Sequence, residues 1–255
     1  MKIKKSLGFI LTLCLAVTAV SGVFITAKAD DPSVTINGDM DGDGELTAMD
    51  LTLLARKVAG IDGEETDSDD TKPEQIGVDF TILCAQYPDV VGYIYATDTD
   101  ISYPIVQGED DEFYLKHDYK GDLNNNGAIF MDSHCNGDFS SGNSIIYGHN
   151  MKSGLMFAHL LNYKNQNYYD EHPFFYIYTP TKNYRLELFA GCVVPGDADI
   201  YALYPSADTI AALVSESTFQ SKITTPTGKI VTLSTVDYSY NNARYVVLGQ
   251  LVPID

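Results

Sequence analysis

The sequence predicts a mainly β domain over residues 74–255, preceded by a small loop-and-helix segment. Two observations predict that class. Short runs of β-branched and aromatic residues recur through the region and are broken by Asn, Asp, Gly and Pro, the pattern of strands joined by turns. The 255 residues, 45% hydrophobic and 11% aromatic, are enough to bury one substantial core with small appendages.

The elements follow in chain order. Residues 1–29 read as an export leader: Lys2, Lys4 and Lys5 give a positive start, residues 7–20 an apolar stretch, and Ala27, Lys28 and Ala29 a small-x-small cleavage site. The uncharged stretch from Ser6 to Ala27 also approaches the roughly 20 residues that span a bilayer. An uncleaved signal anchor is therefore the alternative to release, and the cleavage site favours release. Either way the chain is expected to be exported, to the outer face of the membrane, the cell wall or beyond.

Residues 30–61 hold the second unit. Asp39, Asp41, Asp43 and Asp50 place carboxylates at positions one, three, five and twelve of a loop, Gly44 falls at the sharp turn, and Glu45 offers a backbone carbonyl at position seven. A hard cation such as calcium needs several oxygens at such offsets, and a bare acidic run would lack the glycine and the apolar Leu46. A helix over residues 51–59, stopped by Gly60, follows. The segment resembles one half of a dockerin, including Asp in place of the EF-hand Glu at position twelve. That resemblance implies structural calcium and a possible cohesin-like partner. Residues 62–73 (DGEETDSDDTKP) carry no second loop pattern and read as an acidic linker.

Within residues 74–255, helices are expected near residues 78–87, 155–163 and 207–215. Residues 229–236 and 245–248 read as neighbouring strands joined by a polar turn at 237–243. The apolar run 144–147 ends in Gly148 and His149, which places the histidine at a strand end, where a sheet presents it to a cleft. Arg244 opens the later strand. An imidazole and a fixed guanidinium are two of the three groups that acyl transfer through a thioester requires, the third being a thiolate.

These motifs are similar to those of the sortase family, class B, over nearly all of residues 74–255. The family's TLxTC motif ends in its nucleophilic cysteine, and here residues 232–236 read TLSTV. Its histidine lies in YGHNM, matched at 147–151, and its arginine matches Arg244 in ARYVVLGQL. Further likeness lies in YPDVVGYI (87–94), ISYPIVQG (101–108), YLKHDY (114–119) and GAIFMD (127–132). The resemblance implies a closed β-barrel decorated by helices. It also implies recognition of a sorting-motif peptide on a secreted protein, and transfer to a cell-wall or pilus amine. By this resemblance His149, Arg244 and Val236 are expected at the catalytic positions, and Val236 has no lone pair or ionisable proton with which to attack a carbonyl.

No other cysteine reads as a replacement. Cys84 falls in the first expected helix and Cys192 in the apolar run 186–194, both as small core hydrophobes. Cys135 lies in the polar loop 133–143. If residues 127–132 and 144–149 form a hairpin, it sits at the end opposite His149. His117, His134, His159 and His172 show no zinc-like spacing. The formal net charge is −19, and loss of the leader, with its lysines and no acid, takes it to −23. Nucleic acid is thus excluded as a natural partner. Three readings compete: an active class B sortase, a pseudosortase that keeps a peptide-binding cleft, and a dockerin-type surface-assembly or scaffold module. Val236 favours the second.

Overall fold

A computed structural model describes residues 77–254. The leader, the calcium segment with Asp39, Asp41, Asp43, Glu45 and Asp50, and the acidic linker lie outside the described residues. Asp79 caps the first helix, α1 (Phe80–Gln86), its carboxylate accepting the Thr81 and Ile82 amides at 2.9 and 3.2 Å. Then come β1 (Val90–Tyr95), β2 (Ser102–Val106), β3 (Ile129–Met131) and β4 (Asn143–Tyr147). A 3-10 helix (Ala158–Lys164) leads into α2 (Gln166–Glu171), β5 (Phe174–Tyr178) and β6 (Asn183–Pro195). The chain ends with α3 (Ala207–Ser215), β7 (Ile230–Val236) and β8 (Ala243–Ile254).

The strands close into a barrel in the order β1-β2-β3-β4-β7-β8-β6-β5, with β5 pairing back onto β1. Closure matters because an open sheet would leave unpaired N–H and C=O groups along its edges. The mainly β, closed-barrel fold expected from the sequence is what forms.

The core has three parts. The barrel interior holds Ile94, Ile105, Met131, Ile146, Phe175, Leu186, Leu233 and Val247, all essentially inaccessible. A second cluster lies on the outer face, where Leu213 of α3 covers Phe189, Val246 and Leu248. In the third, Phe80 and Leu83 of α1 pack on Val90, Val106 and Phe130. Strand β7 is consequently buried on both faces for most of its length, which explains why residues 229–236 read as a near-continuous apolar run. Each fully buried side chain of this size contributes about 1.5–3 kcal/mol.

Two expected helices are present where the sequence put them. The third, near 155–163, forms as the 3-10 helix instead, with Leu160 and Tyr163 as its buried residues. Their spacing of three suits a three-residue turn as well as an α-helix. Helix α2 was not expected. Its six residues are too few to show a helical period, and Asn165 starts it by accepting the Asn167 amide. Among the described residues no helix is long and apolar enough to cross a membrane.

Candidate functional site

Three strand ends meet at one rim of the barrel. β4 and β7 run parallel with Tyr147 opposite Ser234, so both finish at the same rim. β8 runs antiparallel to β7 and starts there, with Arg244 directly opposite Val236. Side chains alternate along a strand. Val231 and Leu233 face the barrel interior, which puts Ser234 and Val236 on the outer face together with Tyr147 and Arg244. Here they floor a cleft of about 240 Å³, walled by Asp111, Leu115 and Tyr201, and His149 also lines it.

Glycine at 148 is a steric necessity. A Cβ there would lie 2.5 Å from Ile129 Cδ1 and 2.7 Å from the Phe157 ring. Gly127 is equally constrained: its φ is +64°, and a Cβ would stand 2.6 Å from the Tyr114 carbonyl and 3.0 Å from His149 Cδ2. These two glycines allow the 113–115 turn and the His149 ring to come together. His149 Nε2 lies 2.8 Å from the Leu115 carbonyl, which only accepts, so Nε2 carries a proton. Nδ1 is left as the nitrogen able to exchange a proton with a group in the cleft.

Hydrogen bonds zip the histidine segment onto the end of β7. The Gly148 amide donates to the Ser234 carbonyl at 3.1 Å, and Thr235 Oγ1 donates to the Gly148 carbonyl at 2.8 Å. Asn150 Nδ2 donates to the Val236 carbonyl at 2.9 Å. Position 236 is therefore fixed by backbone pairing and by a side chain from the YGHNM motif. Neither tie needs a particular side chain at 236.

The cleft walls add polar groups that sequence reasoning did not single out. Tyr201 and Ser234 hydroxyls lie 2.8 Å apart. Burial pushes the Tyr201 phenol up, against the opposing effects of Ser234 and the Arg244 charge. The Tyr147 hydroxyl donates to Asp132 Oδ2 at 2.9 Å, and burial together with that carboxylate raises its pKa strongly. Arg244 donates to its neighbour, the Ala243 carbonyl, at 3.0 Å. A guanidinium has five N–H donors, so others are available to an oxyanion in the cleft. Tyr147 was visible inside a quoted motif. Tyr201 and Asp111 arrive on long connections with no local signature.

The described cysteines lie elsewhere. Cys135 is buried in the β3–β4 connection, its sulfur 3.4 Å from the Ile145 amide, and burial raises its pKa to about 11. Cys192 is buried on β6, 3.1 Å from the Leu213 carbonyl, and is pushed up to about 12 by burial and then Glu216. Cys84 on α1 is partly buried, and burial raises it too. Thiols held protonated in this way are poor nucleophiles. Asp111, Asp132 and His134 bring ligand-type atoms within 4.8 Å of one another. Both carboxylates are already engaged, Asp111 by the Ser133 amide and Asp132 by Tyr147 and His134.

The site is thus the rim of a closed eight-stranded barrel, where a histidine, an arginine and the end of β7 share one cleft. A family model described as a sortase domain matches residues 94–252. Sortase B of Listeria monocytogenes serovar 1/2a (strain ATCC BAA-679 / EGD-e) is 36% identical over 174 residues, covering 64% of this chain and 70% of that protein. Among solved structures, sortase B from B. anthracis in complex with AAEK1 is 32% identical with a TM-score of 0.60, covering 69% of this chain and 84% of that one. A Staphylococcus aureus sortase B-substrate complex matches in fold, at 24% identity, a TM-score of 0.63, and coverage of 69% and 85%. The chain belongs to the sortase family, and its relatives are class B.

Proposed function

We propose that this chain is a pseudosortase, one that binds the sorting-motif peptide of a secreted protein in the cleft of His149, Arg244 and Val236 without cleaving it. One observation carries the reading. Val236 stands opposite Arg244 at the end of β7, within the same cleft as His149, while the described cysteines lie elsewhere. The guanidinium and imidazole are available to recognise a peptide carbonyl, and valine offers it no bond. The S. aureus sortase B of similar fold is solved as a substrate complex.

The acidic chain is read as exported and acting at the cell surface, where a cell-wall or pilus amine would be the acceptor if a thiol were present. Calcium at Asp39, Asp41, Asp43, Glu45 and Asp50 is proposed as structural. The spacing of those residues also supports a second reading, in which the N-terminal segment docks a cohesin-like partner and the barrel is scaffold.

The test is a cleavage and transpeptidation assay comparing the parent with V236C, using class B sorting peptides and an amine acceptor, alongside peptide binding to the parent. The parent should bind and stay silent, since loss of a nucleophile costs on the order of a million-fold in rate. V236C should turn over. Silence in both proteins, with normal melting and no peptide binding, would overturn the cleft reading.

A further inference from the structure

An ion pair with one buried partner lies next to the end of β7. Asp237, next to Val236, is 4% exposed, and its Oδ2 meets the Lys164 ammonium. Its Oδ1 accepts the Ser239 amide at 2.8 Å, and its own amide donates to the Ala243 carbonyl at 3.1 Å. One carboxylate thus closes the turn between Val236 and Arg244 with one oxygen and reaches a second segment with the other. Lys164 ends the 3-10 helix, and its ammonium also stands 5.3 Å from the Tyr245 ring centroid. That helix follows directly on the His149 segment, where the Phe157 amide donates to the His149 carbonyl at 2.9 Å.

We propose that Lys164 and Asp237 are positioning residues for the cleft. Their ion pair braces the turn carrying Val236 and Arg244 against the segment carrying His149, and so sets where these three side chains stand relative to one another. The geometry favours this role over a generic stabilising contact. The carboxylate sits one residue from position 236, inside the tight turn, while the ammonium belongs to the continuation of the histidine segment. The turn is held besides by the Ala243 amide on the Tyr240 carbonyl at 3.2 Å and by the Gly196 amide on the carbonyl of Asn242, whose φ is +62°. The inference rests on the reading of the cleft as a preserved site, and its test does not use peptide.

In the full chain, V236C supplies a reporter thiol at the cleft. Its second-order rate of alkylation by iodoacetamide is measured across pH in V236C alone and with K164M, K164R or D237N added. Removing the brace by K164M or D237N should move the pH profile of that thiol in the same direction, with a change in rate of about tenfold. K164R, which keeps the charge and reach, should restore the V236C profile to within about twofold. Profiles unchanged in K164M and D237N would overturn the proposal. So would shifts of opposite sign, since each charge would then act on the thiol through space. Loss of the cooperative melt in K164M and D237N would reduce the pair to a fold-stabilising contact and overturn it as well. Failure of the parent to bind peptide would defeat the cleft reading while leaving these profiles interpretable.

Discussion

Valine and cysteine are close in size, but the second branch at Cβ favours extended backbone and fills the strand end with methyl groups. A strand with valine at 236 keeps its pairing to Arg244 and its carbonyl bond to Asn150, so a cleft can outlast its chemistry. Glycine 148 has the opposite character: its identity is dictated by what surrounds it. G148A should cost about 1–3 kcal/mol through overpacking against Ile129 and Phe157. Chemical denaturation would measure this, and a variant within about 0.5 kcal/mol of the parent would show that these side chains yield easily. The need for glycine before His149 was not legible in the sequence, because both clashing residues arrive from other elements.

The turn between β7 and β8 is the element on which the site depends, and it is pH-sensitive in a definite direction. Burial opposes ionisation of Asp237, but Lys164 and Ser239 outweigh it and hold the carboxyl below its ordinary range. A depressed carboxyl stabilises the fold fully above the unfolded value near pH 4, and the contribution disappears as pH falls through the lower folded value. D237N should lose about 1–3 kcal/mol at neutral pH, kept modest because Lys164 is 40% exposed. Its stability should then fall less steeply than the parent's below pH 4. Parallel denaturant midpoints from pH 3 to 7 would refute the assignment. At this scale much was legible: residues 207–215 emerge as α3, with Ser206 accepting the Thr209 amide as its cap. Residues 155–163 were harder because burial at Leu160 and Tyr163 does not distinguish two helix types.

For the whole molecule, short β-branched and aromatic runs broken by Asn, Asp, Gly and Pro gave the mainly β class. The order of sortase-like motifs gave the barrel and the identities of His149, Arg244 and Val236. The cleft walls were not readable, since Tyr201, Asp111 and the Lys164 brace come from connections whose positions are decided only by tertiary packing. The segment before the barrel makes its own prediction. Calorimetry on the chain should show calcium binding that Asp41→Ala abolishes, and no heat at millimolar calcium would return residues 39–50 to an acidic turn. The parallel pairing of β4 with β7 also has a temporal side. Residues 148–229 intervene between those strands, and Arg244 follows both. A chain that emerges from its N-terminus therefore has no complete cleft until Arg244 has followed β4 and β7. Whatever the cleft recognises is met only after the last of its three strand ends has been made.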